Sequence, residues 1–288
     1  YYLSFDFKNL RQETKVQYQY FLNVLADTKI DDAQILGSIK ISDITTRMAK
    51  ISYEMWCERG IHLANHVMSV SRVVYNFAIH MEHYTLNPFT SIKRKTPIAR
   101  KVVWTKENVH TFLDFAYQDF HTRNIGLIAQ MAYEWCQRLG DMRMIRWVDL
   151  NLDKSTMNIE QSKRRAEVFL PISEDLCEML TQQKQDYGFQ EYVAPCTKPS
   201  KGVYSPYSKH RLPKLARDIM DNAGLPKELR LSDLRRTGTT EMVDAGVSMG
   251  NIMAVTGHTN PQSVKPYMKN TLASANLALN LRKSLTDV

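Results

Sequence analysis

The stretch LSDLRRTGTT, residues 231–240, contains two adjacent arginines, Arg235 and Arg236. It places Arg235 on a predicted helix whose apolar face is formed by the two leucines of the stretch and Met242, at helical spacing. The helix is predicted to end at Gly246 and to be followed by a second helix. Two other interpretations stay open for this stretch alone: a surface charge beside Asp233, or a helix-turn-helix that reads DNA.

A second stretch, CQRLGDMRMIRWVD at residues 136–149, carries another arginine between two predicted helices. Arg138 follows an apolar helix and precedes a helix that Gly140 and Asp141 begin. Backbone N–H groups and the helix dipole favour an anion at such a position. The alternative is a surface arginine that pairs with Asp141 or Glu134.

A third stretch, QSKRRAE at residues 161–167, lies between two predicted strands. Lys163 at the tip of this hairpin has a long flexible side chain and a transferable proton, so it could act as a general acid over a cleft. Arg164 and Arg165 are better suited to contacting a phosphate backbone. A solvated turn is the alternative for the whole stretch.

The fourth stretch contains a histidine and a tyrosine. His258 follows Thr256 and a glycine, and Tyr267 lies in VKPYMKN, residues 264–270. A tyrosine near a histidine indicates little by itself, because the chain has 14 tyrosines and such side chains usually fill cores or interfaces. The order and spacing of all four stretches are therefore more informative than any one of them.

Composition and charge exclude several classes of protein. The 288 residues are 43% hydrophobic and 24% charged, which is typical of a globular chain and not of a disordered or collagen-like one. No apolar run approaches the ~20 residues of a membrane span. The 38 Lys and Arg exceed the 30 Asp and Glu, and the net charge of +8 favours nucleic acid or an anionic membrane surface as partner. Four cysteines without CxxC pairs or zinc-type spacing indicate reduced thiols and no metal site.

Helical periodicity and a basic stretch divide the chain into two predicted domains. Residues 1–92 form an all-helical domain, residues 93–103 a basic linker, and residues 104–288 a larger domain. The linker is interpreted either as a solvated loop or as a strap along a phosphate backbone. Its candidate phosphate contacts are Lys93, Arg94 and Lys95. Helices of the first domain are predicted at residues 14–25, 44–57 and 63–81.

The larger domain is predicted to be mostly helical with one small sheet. Thr105 and Ser173 are suited to cap two of its helices. Strands are predicted at residues 147–150, 156–161 and 167–171. Helices are predicted at residues 125–137, 140–145, 173–186, 206–223, 232–245, 248–255, 261–269 and 272–284. The expected fold class is mostly α, with a small all-helical domain and a larger α-rich domain that contains a three-stranded antiparallel sheet.

In this order and at this spacing, the four stretches resemble the tyrosine recombinase (phage integrase) family. The resemblance covers essentially the whole chain and extends to Asn87-Pro-Phe89, which matches the end of the family's amino-terminal domain. It implies that residues 1–92 are a core-type DNA-binding domain. Residues 104–288 would then be the tyrosine recombinase catalytic domain.

The resemblance assigns catalytic roles residue by residue. Tyr267 matches the nucleophile and Lys163 the general acid, and Asp141 matches the acidic companion of the first arginine. The family's two arginines and its glycine-histidine pair fall on Arg138, Arg235 and Gly257-His258. One position departs, because the histidine usual three residues before the second arginine is Ser232 here. A serine hydroxyl can donate a hydrogen bond but cannot act as a base near neutral pH.

The implied reaction exchanges DNA strands through a 3′-phosphotyrosine and needs neither a metal ion nor a cofactor. It would integrate or excise phage or mobile-element DNA. The departure at Ser232 leaves an alternative open, a catalytically weakened or inactive relative that binds DNA.

The resemblance also implies partners and a location. Double-stranded DNA is the expected partner, with Asn65, His66 and Arg72 directed from the helix at residues 63–81 to a major groove. A homotetramer on DNA is expected through a carboxy-terminal helix at residues 272–285. A host DNA-bending protein and a directionality factor are further implied partners, a membrane is not, and the expected location is the cytoplasm of a bacterial host.

Overall fold

The computed structural model describes residues 1–30, 32, 34–163, 165–268, 275–276, 278–280 and 282–283. The chain forms two compact units, Tyr1–Arg100 and Lys101–Val288. The division between them falls inside the stretch predicted as a basic linker. Each unit has a separate core of buried apolar side chains.

The first unit consists of helices, and three of them correspond to the three helices expected from periodicity. Its elements are α1 (Phe5–Lys8), α2 (Gln12–Ala26), α3 (Thr46–Arg59) and α4 (Ile61–His80), with 3-10 turns at Leu36–Ser38 and Ile41–Asp43. Both α2 and α3 pack on α4. Gly60 separates α3 from α4 and has φ 138°, a backbone angle that residues other than glycine rarely adopt. The core between the helices buries Tyr53, Trp56, Met68, Tyr75 and Phe89.

The segment after α4 is fastened to that helix by side chains. Arg72 Nε donates to the Phe89 carbonyl at 3.0 Å, and Arg72 Nη2 donates to the Ile92 carbonyl at 2.7 Å. Asn65 Nδ2 donates to the Lys95 carbonyl at 2.8 Å. The stretch predicted as a linker is therefore attached to the first unit at its start.

The second unit combines helices with one small sheet. Its elements are α5 (Lys106–Tyr117), α6 (Phe120–Glu134), α7 (Leu139–Met142), β1 (Leu150–Asn151), β2 (Thr156–Glu160), β3 (Glu167–Pro171), α8 (Glu174–Tyr187), α9 (Arg211–Asn222), α10 (Leu234–Asp244) and α11 (Met249–Thr256). The strands pair antiparallel in the order β1-β2-β3, with Met157 opposite Leu170. The predicted fold class, mostly α with a three-stranded antiparallel sheet, is confirmed.

Helix α6 is the centre of this unit because it is apolar around most of its circumference. Its residues 124–132 are all buried, and α5, α9 and α10 pack against it. In β2 and β3 alternate residues are buried, so one face of the hairpin joins the core. Thr105, Ser173 and Ser248 each accept a backbone hydrogen bond at the first turn of α5, α8 and α11, which explains where those helices begin.

Several predicted boundaries were wrong for local reasons. The predicted strand at 147–150 is a 3-10 turn, Trp147–Asp149, followed by the two-residue β1, because the Asp149 carboxylate caps that turn at the Arg146 N–H. The predicted helix at 261–269 is instead two 3-10 turns, Pro261–Ser263 and Lys265–Tyr267. Each of these turns has a proline in its first positions, where a missing N–H is tolerated but a longer helix is not favoured.

Other predicted boundaries moved, and one prediction cannot be compared. The helix predicted at 206–223 begins only at Arg211, and the helix predicted at 125–137 begins earlier, at Phe120. Half of the predicted carboxy-terminal helix at residues 272–285 lies outside the described residues.

Two general properties follow from the described part of the chain. None of the helices in that part is both long and apolar enough to cross a bilayer. All four cysteines are free thiols, and no described group of three or more His, Cys, Asp or Glu side chains is arranged to hold a metal ion.

Candidate active site

Arg138 occupies the position directly before the first turn of α7. Its Nη1 donates to Gln161 Oε1 at 2.8 Å, and the same nitrogen lies 3.8 Å from Asp141 Oδ2. The chain reaches this position through Cys136, whose φ of 51° turns the backbone sharply after α6. Burial raises the pKa of the Cys136 thiol to about 11, so this side chain is a packed, protonated group beside the arginine.

Asp141 connects α7 to the turn between β2 and β3. Its Oδ1 accepts hydrogen bonds from the Ser162 N–H at 3.1 Å and from the Ser162 hydroxyl at 2.5 Å. The carboxylate therefore holds the hairpin turn close to Arg138, and its separation of 3.8 Å leaves the guanidinium only weakly paired.

Arg235 is buried near the start of α10, with 9% of its surface exposed. Its Nη2 donates to the Thr256 carbonyl at 2.9 Å and lies 3.1 Å from His258 Nε2. Nη1 is buried without a hydrogen-bond partner among the described residues. Burial, and then the positive charge of Arg138, lower the pKa of Arg235, while the Tyr267 phenol opposes that shift. The interpretation of Arg235 as a surface charge beside Asp233 was wrong.

The orientation of His258 follows from the hydrogen bonds of Thr256. The Thr256 hydroxyl donates its one proton to the Ile252 carbonyl at 2.7 Å, so it accepts at 2.7 Å from His258 Nδ1. His258 Nε2 then faces Arg235 Nη2 as the remaining ring nitrogen. Gly257 turns the chain between them at φ 67° as the left-handed cap of α11.

Tyr267 lies in the 3-10 turn Lys265–Tyr267, and its ring packs beside His258 and Arg236. Its ring centroid is 6.0 Å from that of His258. The Arg236 guanidinium carbon lies over the Tyr267 ring, 5.0 Å from its centroid, and Arg236 Nη1 donates to the Pro266 carbonyl at 3.4 Å. This cation–π contact and the backbone contact hold the phenol beside Arg235.

The structure thus brings together Arg138, Arg235, His258 and Tyr267, which are widely separated in sequence. The two guanidinium groups are connected through Gln161 and the Thr256 carbonyl. A guanidinium group stays charged and can bind two oxygens of one phosphate at once. The arrangement is therefore an anion pocket with a phenol beside it. A base-reading helix-turn-helix does not need a buried arginine of this kind, since its side chains must reach base edges.

Three other described candidates of this unit, Lys163, Arg165 and Ser232, lie apart from that cluster. Lys163 is exposed in the turn after β2, and no hydrogen bond or ion pair among the described residues joins it to the cluster. Arg164 lies outside the described residues. Arg165 is exposed, with Nε 3.8 Å from Glu160 Oε1. Ser232 is exposed and lines a cavity of about 400 Å³ with Leu139, Pro213, Arg217, Met220, Lys227, Arg230 and Leu231.

The side chains of Asn65, His66, Arg72 and Arg94 in the first unit already have partners within that unit. Asn65 and Arg72 bind the backbone of the segment after α4, and His66 stacks on Phe21 with centroids 5.1 Å apart. Arg94 Nη1 donates to the Ser69 hydroxyl at 3.1 Å, while Lys93 and Lys95 have exposed side chains. Contact of these residues with DNA stays a prediction.

Three functional candidates were missed by sequence reasoning. Gln137 and Gln161 are completely buried and contact the arginine network, and Arg236 covers the tyrosine. The available signal was position alone, because the glutamines lie next to Arg138 and Lys163 and Arg236 follows Arg235. A neutral amide gives no charge pattern that would distinguish it from a surface residue.

Comparisons with known proteins identify the family and the fold of the chain. A family model described as the phage integrase family matches residues 102–273. The integrase of Mycobacterium phage D29 is 24% identical over 250 residues, which cover 81% of this chain and 65% of the relative. The chain thus spans less than two-thirds of the length of that relative.

Solved structures share the fold at low identity. A lambda integrase dimer bound to a COC′ core site matches with a TM-score of 0.73 and 18% identity over 91% of this chain and 73% of the other. The Tn1549 transposon integrase in complex with a circular intermediate DNA matches with a TM-score of 0.76 and 15% identity over 94% of each chain. A lambda integrase tetramer bound to a Holliday junction matches with a TM-score of 0.72 and 18% identity, over 91% of this chain and 73% of the other.

The segment matched by the family model is more than half of the chain and contains all four residues of the pocket. The surrounding fold is that of the lambda and Tn1549 integrases. The protein therefore belongs to the phage integrase family, the family of the tyrosine recombinases.

Proposed function

We propose that this protein is a site-specific DNA recombinase that cleaves and rejoins strands through a 3′-phosphotyrosine on Tyr267, and so integrates or excises phage or mobile-element DNA. One observation carries the proposal: Arg235 Nη1 is buried with no hydrogen-bond partner in the described part of the chain, in a pocket that Arg138, His258 and the Tyr267 ring share. A buried donor without a partner is costly in the free protein and is satisfied when an anion enters. The anion offered by DNA is a backbone phosphate.

In the proposed reaction the Tyr267 oxygen attacks phosphorus while the bond to the 5′ oxygen breaks. The phenol loses its proton to water, and the Lys163 ammonium, at the end of a long side chain, supplies a proton to the leaving 5′ oxygen. The phosphodiester energy is retained in the phosphotyrosine bond, so a 5′-hydroxyl from a partner strand can reverse the step and reseal the DNA. The chain therefore needs no cofactor for this chemistry.

Charge stabilisation comes from the arginines and the histidine. The pentavalent phosphorus centre carries extra negative charge, and Arg138 and Arg235 bind its non-bridging oxygens. His258 Nε2 can donate to such an oxygen only when it carries a proton, because Nδ1 already donates to Thr256. Asp141 acts through Ser162 and Arg138 by keeping the hairpin turn in place.

The proposed partner is double-stranded DNA, bound as a homotetramer. The net charge of +8 and the DNA-bound dimer and tetramer of lambda integrase support this assignment. Residues 1–92 would bind the core site through Asn65, His66 and Arg72, and residues 104–288 would carry the chemistry. The proposed backbone contacts are Lys93, Arg94, Lys95, Arg164 and Arg165. Residues 272–285 are proposed to contact a neighbouring protomer.

Further partners and the location follow from the same assignment. A host DNA-bending protein and a directionality factor are proposed to act with the recombinase on phage DNA. The proposed location is the cytoplasm of a bacterial host, where that DNA is found.

The test begins with Tyr267→Phe, because this variant removes the nucleophilic oxygen and keeps the ring. Duplexes selected from a random library by binding to the variant would be offered to both proteins, with a nick that traps the cleaved strand. We expect a covalent adduct on a denaturing gel with the wild type and none with the variant, at equal DNA affinity. Binding without an adduct in the wild type would contradict the proposal and favour the DNA-binding relative.

The departure at Ser232 supplies a second prediction. Because Ser232 is exposed beside a cavity of about 400 Å³, an imidazole fits there without displacing the core. We therefore expect Ser232→His to keep or raise the rate of adduct formation on the selected duplex, with Ser232→Ala as the control for the hydroxyl. A large loss in Ser232→His would mean that the pocket is organised differently.

A further inference from the structure

Gln161 is a completely buried amide whose polar atoms are all hydrogen-bonded. Its Oε1 accepts from Arg138 Nη1 at 2.8 Å. Its Nε2 donates to Gln137 Oε1 at 2.6 Å and to the Thr256 carbonyl at 2.9 Å. The backbone of Gln161 closes the β2–β3 hairpin, since its N–H donates to the Ala166 carbonyl at 2.8 Å. Hydrogen bonds therefore hold both the amide group and the backbone of Gln161 in place.

The Thr256 carbonyl is the point where the two arginines of the pocket are connected. It accepts from Gln161 Nε2 and also from Arg235 Nη2, each at 2.9 Å. Arg138, Gln161, Thr256 and Arg235 thus form a continuous chain of hydrogen bonds. A displacement of the amide would change the position of one guanidinium relative to the other.

The Gln161 amide can lie this close to the turn after α11 only because residue 257 is a glycine. A Cβ built on Gly257 would lie 2.5 Å from Gln161 Nε2, and Gly257 has φ 67°. Behind the amide, Gln137 is itself held because its Nε2 donates to the Trp135 carbonyl at 2.8 Å and the Val255 carbonyl at 2.7 Å. The Gln161 amide is therefore enclosed by Gly257 on one side and by Gln137 on the other.

A neutral amide suits this position for an electrostatic reason. Gln161 orients Arg138 through a hydrogen bond but adds no negative charge, so the cation remains available to an anion in the pocket. The carboxylate of Asp141, at 3.8 Å, is too distant for a hydrogen bond to the same nitrogen. Gln161 therefore orients the Arg138 guanidinium, while the negative charge of Asp141 acts on it only from a greater distance.

We infer that Gln161 is a positioning residue that holds Arg138 at the geometry for phosphate and couples it to Arg235 through the Thr256 carbonyl. The inference rests on the proposed recombinase function. It predicts that loss of the amide lowers the rate of strand cleavage while DNA affinity, which comes from many phosphate contacts, stays the same.

The experiment compares Gln161→Met with Gln183→Met on the selected duplex at saturating concentration. Gln183 is another buried glutamine of this unit, and its Nε2 donates to Asn124 Oδ1 and to the Val193 carbonyl, so its variant loses similar bonds away from the arginines. We expect a rate of adduct formation 10–100-fold lower in Gln161→Met and within about threefold of the wild type in Gln183→Met. If Gln161→Met does not fold, the variant Gln137→Met/Gln161→Met removes both partners and leaves no unpaired amide.

Two readouts separate positioning from a purely structural role. On a duplex with a methylphosphonate at the mapped cleavage position, the phosphate has lost one negative charge, so the penalty of Gln161→Met should fall below about threefold. In the protein without DNA, the nitrogen-15 signals of the Arg138 guanidinium should show slow rotation in the wild type and fast rotation in Gln161→Met.

The outcomes distinguish the inference from the proposed function. A wild type that forms no adduct would contradict the recombinase, while the arginine signals would still test the contact of Gln161 with Arg138. An active wild type with an equally active Gln161→Met, or with an equal penalty on both duplexes, would overturn the inference.

Discussion

Arg235→Ala is expected to lower the rate of covalent adduct formation by about 10³-fold at saturating DNA. Loss of one preorganised donor to developing negative charge costs roughly 10²–10³ in rate. Arg235 should be at the upper end because its Nη2 also contacts the Thr256 carbonyl and His258, which would both lose a partner. Single-turnover adduct formation on the selected duplex measures the effect.

Conservative and control variants decide whether the guanidinium itself is responsible. Arg235→Lys keeps the charge but presents a single point donor, so it should recover only a small part of the rate. Arg146→Ala removes an exposed arginine that pairs with Asp149 and Glu191, and it should leave the rate unchanged. More than a tenth of the wild-type rate in a folded Arg235→Ala would contradict the proposed role.

The elements with clear periodicity were predictable, and short irregular ones were not. Helices α3 and α4 follow regular apolar spacing, and the strands β2 and β3 alternate, so local pattern and tertiary packing agree. The turns at Pro261–Ser263 and Lys265–Tyr267 have helical composition, but their prolines remove backbone donors and prevent a continuous helix. A prediction from the spacing of apolar residues alone does not take account of these missing backbone donors.

The pocket was predictable as a set of residues but not as a network. Arg138 and Arg235 were identified by spacing in the family pattern, whereas Gln161 is recognised only through the atoms it joins in three dimensions. The burial of Arg235 was equally hidden, because a local sequence offers Asp233 as an obvious partner. Long-range hydrogen bonds to backbone carbonyls cannot be predicted from the periodicity of the sequence.

The second large effect is expected from Gly238→Ala, which affects how α10 packs on α6. A Cβ built on Gly238 would lie 2.5 Å from the Tyr133 carbonyl oxygen and 2.7 Å from Cys136 Sγ. The backbone oxygen cannot rotate away, so the two helices must separate. Overpacking of this kind costs about 2–3 kcal/mol, or roughly 4–12 °C in Tm for a unit of this size, measured by thermal unfolding.

Gly250→Ala is the matched control, because Gly250 lies in α11 with nothing within 4 Å of its built Cβ. An alanine there should raise stability by about 0.5–1 kcal/mol through its better helix propensity. Adding Cys136→Ala to Gly238→Ala removes the sulfur contact but leaves the Tyr133 oxygen, so only part of the lost stability should return. Because Arg235 lies one helical turn before Gly238, the displaced helix should also slow adduct formation at temperatures where the protein is still folded. An unchanged Tm in Gly238→Ala would mean that α10 and α6 do not pack as closely as this contact requires.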